Sequence, residues 1–341
     1  MNYEQKKLHE KISDQHKALQ KECEEIGIPL DSVNHYWHKG KNFSIHSKNN
    51  TFDKDAFLSD LDNVLKNYSP PTPTKPKQRT KGSNLLVINP ADIHIGKYSC
   101  EIETGEKYDT SIAKARVMEG IQGIVELAKG FEIERIMFAI GNDVLHVDNV
   151  YNTTTAGTRQ DVIGKWHEHF TIALELYIWA VDYLRKIAPV DAIHSMSNHD
   201  YQSGFHLAHC LKTYYRNDKD INVEATPKHR KYYRYGNSLI GLSHGDGAKT
   251  MDLPLLMANE AKQHWAVTRH RYWYLHHVHH KVKYKWLDGK DYHGCSVEFM
   301  RSPSADDSWH NRKGYTQTPK GVEGFVHHHT HGQVARFNYL F

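Results

Sequence analysis

The sequence contains no apolar run near the roughly 20 residues that a membrane-spanning helix requires. Its mean hydropathy is −0.71, and its first residues are polar, without the apolar core of a secretory signal peptide. The 4 cysteines lie far apart, so neither a zinc site of paired cysteines nor a redox dithiol is predicted. These absences favour a cytoplasmic protein with reduced thiols and no membrane contact.

A strong excess of charge is also missing. The net charge is +4 and the isoelectric point is near 8.6. This mild bias favours polyanionic partners but falls short of the basic stripe of a dedicated nucleic-acid binder. Histidine, in contrast, is abundant, with 27 residues. We interpret most of these as surface residues and assign chemistry only to those at the ends of predicted strands.

A basic, proline-rich segment at 69–83 is predicted to be an exposed linker. Before it, residues 1–26 and 52–68 each have apolar residues at helical spacing, which predicts a helical N-terminal arm over 1–68. The stretch between these helices, 35–50, is basic and aromatic. The arm is expected either to contact nucleic acid or a partner, or to pack on the main domain or on a second subunit, which would give a dimer.

The remaining part, 84–341, is predicted to be one catalytic domain of the α/β class. Its first half alternates apolar strand patterns with helical patterns, and its second half is rich in short strands. That order predicts a mixed sheet, or two sheets packed between helices.

Five short motifs rich in Asp, Asn and His each follow a predicted strand in this domain. They are Asp92-Ile93-His94, Gly141-Asn142-Asp143, Asn198-His199-Asp200, His244-Gly245-Asp246 and His277-Val278-His279. The carboxyl ends of strands in an open α/β sheet share one edge, where ligands collect. Carboxylate, amide and imidazole groups crowded at one edge need a cation to neutralise them. The ordered set therefore predicts a two-metal site that cleaves phosphoesters.

The chemistry of such a site suggests a role for each residue. Asp143 is the natural carboxylate to bridge two metals, and Asp92 and His94, two residues apart on an extended segment, can bind one cation together. The other donors are Asn198, His244, His277 and His279. This mixed oxygen and nitrogen set suits two divalent ions, Mn²⁺ first and Fe or Zn²⁺ as alternatives. Two such ions about 3.5–4 Å apart hold a hydroxide and clamp phosphate oxygens. His199 is placed either to donate a proton to the leaving oxygen or to stabilise charge on the phosphate.

The five motifs resemble, in family order, the signature of the calcineurin-like metallophosphoesterase superfamily: D-x-H, G-D, G-N-H-[DE], H and G-H-x-H. The resemblance implies a sandwich of two mixed β-sheets flanked by helices and a catalytic role for His199. It also implies a ligand set for each metal. The first would be held by Asp92, His94, Asp143 and His279, and the second by Asp143, Asn198, His244 and His277. The sequence departs from the pattern at Ser197 and His276, which replace glycines, and at Asn142, which separates Gly141 from Asp143.

His146, three residues beyond Asp143, is typical of the DNA-repair nuclease branch of that superfamily (Mre11- and SbcD-like proteins). The stretches 141–149, 276–281 and 306–315 are similar to uncharacterised bacteriophage-encoded phosphoesterases, which would place the protein in a host cytoplasm. We therefore predict a phosphodiesterase or nuclease that acts on DNA or RNA through a metal-bridged hydroxide. His146 is predicted to support catalysis. Asp200 is expected either to orient a catalytic or ligand imidazole or to cap a helix.

Two other functions remain open. One is a phosphomonoesterase or cyclic-nucleotide phosphodiesterase acting on small substrates, since the metal centre is common to both. The other is a non-catalytic binding module, which is disfavoured because every ligand and His199 are present.

Two further segments contain residue types that could belong to a site. The histidines at 327–331 are judged a decoy for the final motif, and a loop with Arg301, Asp307, Trp309 and His310 is expected to be solvated rather than to line a substrate groove.

Overall fold

A computed structural model of the protein describes residues 83–277, 289–314 and 318–341, the strands 35–39 and 44–48, residues 59 and 63, and part of 11–25. The chain forms two compact units, Met1–Thr72 and Pro73–Phe341. The predicted linker, apart from Ser83, lies outside the described residues. Among the helices within the described ranges, none is long and apolar enough to cross a membrane.

The first unit contains an antiparallel hairpin of β1 (His35–Lys39) and β2 (Ser44–Lys48), in which Trp37 pairs with His46. The residues described between 11 and 25 are helical, as are those at 59 and 63. The hairpin is an element that the predicted helical arm did not include. Its aromatic content favours extended backbone. A role of this unit in dimer formation or nucleic-acid contact stays a prediction.

The second unit alternates strands and helices in its first half and is mainly β in its second. Its strands are β3 (Asn84–Asn89), β4 (Ile133–Gly141), β5 (Val190–Ser195), β6 (Ile221–Glu224), β7 (Lys231–Tyr235), β8 (Ser238–Ser243), β9 (His270–Leu275), β10 (Gly289–Tyr292), β11 (Cys295–Phe299), β12 (Gly321–His328) and β13 (Gly332–Leu340). Its helices are α1 (Glu101–Thr104), α2 (Thr110–Leu127), α3 (Trp166–Leu184), α4 (Tyr201–Tyr214), α5 (Leu253–Glu260), α6 (Lys262–Val267) and α7 (Ser308–Lys313).

The strands form two mixed sheets. The first has the order β13-β12-β3-β4-β5-β6, in which β3 to β6 run parallel and β12 is antiparallel to both of its neighbours. The second has the order β10-β11-β9-β8-β7, in which β8, β9 and β11 run parallel and the edge strands are antiparallel. Parallel neighbours matter for the site, because their carboxyl ends meet at one edge.

Three buried apolar clusters pack the sheets against each other and against the helices. In β3, Leu86 and Ile88 pack in one cluster with residues of α2, α3 and α4, whereas Leu85 and Val87 pack in another with residues of the second sheet. Successive side chains of a strand point to opposite faces, so β3 is covered on both sides. A third cluster joins β8, β9 and β11 to α5. The predicted sandwich of two mixed sheets flanked by helices is confirmed.

Every predicted motif begins at, or within three residues of, the carboxyl end of a strand, namely β3, β4, β5, β8 or β9. The decoy histidines lie elsewhere. His327 pairs with Leu85 near the start of β3, and His328 pairs with Asn84. They therefore lie at the amino end of the strand whose carboxyl end leads to Asp92.

Candidate metal centre and groove

Backbone hydrogen bonds join the loop of the first motif to the loop of the second. Asp92 N donates to the carbonyl of Asn142 and His94 N to that of Asp143, both at 2.9 Å. All four residues, and His277 as well, have left-handed backbone angles. The φ values are 50° at Asp92, 52° at His94, 53° at Asn142, 58° at Asp143 and 67° at His277. Such angles cost about 1–3 kcal/mol each and cluster at functional sites. The sequence thus adopts strained turns where the candidate ligands lie.

Four polar atoms converge at one point of this edge. His244 Nε2 lies 3.0 Å from Asp143 Oδ2, 2.8 Å from Asn198 Oδ1 and 3.2 Å from His277 Nδ1. Asp143 and His244 are buried. These residues are the set that the resemblance assigned to the second metal, and Asp143, His244 and His277 form a group able to hold an ion.

A second group shares Asp143. Atoms of Asp92, His94 and Asp143 that can bind a metal lie within 4.8 Å of one another, and all three side chains are buried. The Asp92 carboxylate also accepts hydrogen bonds from His277 N at 3.1 and 3.2 Å, which joins the two groups. His279, the remaining predicted ligand of the first metal, lies outside the described residues.

The electrostatics of these groups fit a divalent cation. Asp143 Oδ2 is buried and accepts no hydrogen bond from the described residues, although His244 Nε2 lies 3.0 Å from it. Burial lowers the pKa of His244, but the Asp143 carboxylate outweighs burial and raises that pKa to about 9. Burial likewise raises the pKa of Asp143, but His244 and His199 lower it well below its ordinary range. A metal ion at this position would bind the neutral imidazole of His244, so its binding would favour loss of a proton from that ring.

His199 and His146 lie beside these groups. His199 N donates to Asp143 Oδ1 at 2.9 Å, and His199 Nδ1–H donates to the His146 carbonyl at 2.8 Å. The two rings stack with centroids 5.4 Å apart, and His146 Nδ1 is 3.3 Å from His94 Nδ1. Burial, followed by the charges of His199 and Lys97, lowers the pKa of His146 well below its ordinary value. The roles predicted for both residues stay predictions, because His94, His146 and His199 also form a group able to hold an ion.

The contacts of the Asp200 side chain differ from those of both expected roles, the orientation of an imidazole and the capping of a helix. It occupies the N-cap position of α4, but its side chain makes no capping hydrogen bond. Instead its carboxylate accepts from Ser197 Oγ and, at 3.0 Å, from Leu145 N. Ser197 Oγ in turn accepts from Asp143 N at 2.9 Å. Asp200 thus supports the backbone of the Asp143 loop, where orientation of an imidazole or a helix cap was expected.

The departures from the family pattern have structural partners. The His276 imidazole is buried, with Nε2 2.8 Å from Asn89 Oδ1 and 3.4 Å from Asn142 Nδ2, and Nδ1 3.1 Å from the Ser243 carbonyl. His276 and Ser197 are absent from the residues with positive φ in the described ranges, so glycine is not required at either position. His276 therefore connects the ends of β3, β4 and β8 beneath the candidate ligands. Sequence analysis noted Asn142 and His276 separately and missed Asn89.

We expect His276→Ala to lower the free energy of unfolding by about 2–4 kcal/mol, because buried polar groups left without partners cost about 1–3 kcal/mol each. Urea denaturation with a chelator present removes any contribution of bound metal. His331→Ala, at an exposed histidine, is the control and should change stability by less than about 0.5 kcal/mol. Equal stability of the two variants would show that the His276 contacts contribute nothing.

A groove of about 350 Å³ opens beside the candidate ligands. Its lining includes His94, Asp143, His146, Asn198, His199, His277, Lys97, Arg159, Asp161, Asp307, Trp309 and His310. Asp307, Trp309 and His310, which were expected in a solvated loop, therefore lie in the wall of this groove. Arg301, from the same loop, lies outside this lining and pairs with Glu323. Sequence analysis missed Lys97 and Arg159, although Lys97 follows the first motif by only three residues.

No protein-family model and no curated protein matches the sequence. Among solved structures, Vps29 from Chaetomium thermophilum is similar with 11% identity and a TM-score of 0.31, over 75% of this chain and 98% of that one. A double mutant of Vps29 from Entamoeba histolytica is similar with 12% identity and a TM-score of 0.28, over 76% of this chain and 99% of that one.

Proposed function

We propose that the protein is a phosphoester hydrolase of the calcineurin-like type that cleaves phosphodiester bonds in DNA or RNA with two divalent ions, Mn²⁺ first among them. The observation that carries this proposal is the convergence of Asp143, Asn198 and His277 on His244 Nε2 within 3.2 Å. Asp143 is also shared with the group of Asp92 and His94.

The residues divide into those that would hold metal and those that would act on the substrate. Asp92, His94 and Asp143 would hold one ion, with His279 as its predicted further ligand, and Asp143, Asn198, His244 and His277 the other. When bound, the ions would supply Lewis-acid stabilisation of the phosphate charge and activation of water.

His199 would contact the phosphate or protonate the leaving oxygen. Its Nδ1–H is committed to the His146 carbonyl, which fixes the ring and leaves Nε2 as the nitrogen for substrate. His146 would hold this ring in place through stacking and its carbonyl. Asp200 and Ser197 would position the backbone of Asp143.

The charge of the groove favours a diester over a monoester. A diester group carries one negative charge, whereas a monoester carries nearly two near neutral pH. Lys97 Nζ lies 3.1 Å from Asp307 Oδ2, so the carboxylate of Asp307 neutralises the charge of Lys97. Arg159 and Asp161 are a further cation and a further carboxylate of the described lining, and Asp143 adds a third carboxylate from the candidate ligands. Apart from bound metal, the side chains of the lining therefore add no surplus positive charge for a monoester dianion.

The first test is incubation of the purified protein with Mn²⁺ and end-labelled single- and double-stranded DNA and RNA. We expect metal-dependent cleavage that excess chelator abolishes and added Mn²⁺ restores. Bis(p-nitrophenyl) phosphate and p-nitrophenyl phosphate, tested in parallel, separate diester from monoester hydrolysis. Rapid turnover of the monoester without cleavage of any nucleic acid would contradict the proposal and favour the small-substrate phosphatase.

A further inference from the structure

Residues 306–310, which include the N-cap and the first turn of α7, are fixed against the loop that follows the first motif. Ser99 Oγ donates to the Asp306 carbonyl at 2.6 Å, and Lys320 Nζ lies 2.5 Å from Asp306 Oδ1. The side chain of Lys97 is 1% exposed and pairs with Asp307. A buried cation is costly without its partner, so this pair strongly favours one position of the turn.

Asp307 also orients His310, three residues further along the chain. Its Oδ1 accepts from His310 N at 3.0 Å and lies 2.6 Å from His310 Nδ1. Burial raises the pKa of Asp307, but His310 and Lys97 lower it well below its ordinary range, so the carboxylate stays charged. The imidazole of His310 is therefore held in one orientation in the wall of the groove.

Trp309 adds an aromatic surface to the same wall. Its side chain is 49% exposed, and its ring meets that of His310 at 83°, with centroids 5.1 Å apart. An indole that lines a groove beside candidate metal ligands, on an anchored turn, has the features of a stacking platform.

We propose that Trp309 and His310 form a nucleoside subsite, in which an unpaired base next to the cleaved bond stacks on Trp309 and His310 contacts the adjoining phosphate. This inference rests on the proposed function and narrows its substrate class to single-stranded DNA or RNA, or to unpaired ends. A base within a duplex is stacked between its neighbours and cannot offer its face to a side chain. Stacking on aromatic side chains is tolerant of base identity, so little sequence preference is expected.

The test compares a labelled oligothymidylate with the same strand carrying abasic sites on both sides of the cleaved bond. In the wild type, kcat/KM should be higher for the strand with bases. Trp309→Ala should lower this ratio about 5- to 100-fold, the range of one base–aromatic stacking interaction. Trp309→Phe should keep most of the preference, and Trp166→Ala, at a 38% exposed tryptophan outside the groove lining, should keep all of it.

His310→Ala should behave differently, since abasic strands keep their phosphates. It should lower kcat/KM about 2- to 10-fold on both strands, as expected for one hydrogen bond, without changing their ratio. An unchanged ratio in Trp309→Ala, with wild-type cleavage intact, would overturn the subsite and leave the proposed function standing. Failure of the wild type to cleave any nucleic acid would instead overturn both.

Discussion

Replacement of Asp143 by alanine is expected to remove bound metal and activity together. Its carboxylate belongs to both groups of candidate ligands, and the surrounding imidazoles would face each other without the charge that now balances them. Metal content should fall from about two equivalents to less than about half an equivalent, and hydrolysis to background, because bound metals supply several kcal/mol of transition-state stabilisation. Metal analysis after gel filtration and a phosphodiester assay measure the two effects.

Asp161→Ala is the matched control for this experiment. Asp161 is an exposed carboxylate in the groove lining and belongs to none of the candidate metal groups of the described residues. This variant should retain the metal content of the wild type. An Asp143→Ala protein that is folded and still binds both metals would contradict the bridging role of Asp143.

His199→Ala should separate chemistry from metal binding. Metal content should stay near that of the wild type, because His199 is not among the predicted ligands and the backbone N–H that it donates to Asp143 remains in the variant. The rate should nevertheless fall about 10²- to 10⁴-fold, the usual contribution of a positioned acid or base. Metal analysis and single-turnover kinetics at saturating Mn²⁺ measure the two quantities on one preparation.

The control for His199 is His206→Ala, which removes an exposed imidazole of α4. It should change neither metal content nor rate. If His199→Ala loses metal along with activity, the group of His94, His146 and His199 holds an ion, and His199 is a ligand.

The position of the candidate site could be predicted because it depends on local patterns. Each motif follows an apolar strand, and parallel strands bring their carboxyl ends to one edge. Asp92, Asp143 and Asn198 therefore had to be neighbours once β3, β4 and β5 were recognised. Contacts between the two sheets, such as that of His277 N with Asp92, depended on the family resemblance, since spacing does not determine how sheets pack.

The groove wall could not be predicted in this way. Asp306 and Ser99 are 207 residues apart in sequence, and no local pattern indicates that the two segments meet. A polar loop with a tryptophan is usually solvated, and only the buried Lys97 shows why this one is fixed. His276 and Asn142 were recognised as departures from a motif, but their hydrogen-bond contact required coordinates.

The most direct test of the proposed two-metal site is an electron paramagnetic resonance spectrum of the protein reconstituted with Mn²⁺. Two ions that share Asp143 should lie about 3.5–4 Å apart. We expect the spectrum of a spin-coupled Mn²⁺ pair in the wild type and its loss in the Asp143→Ala variant. The spectrum of isolated Mn²⁺ ions in the wild type at full occupancy, or no Mn²⁺ binding at all, would contradict this expectation.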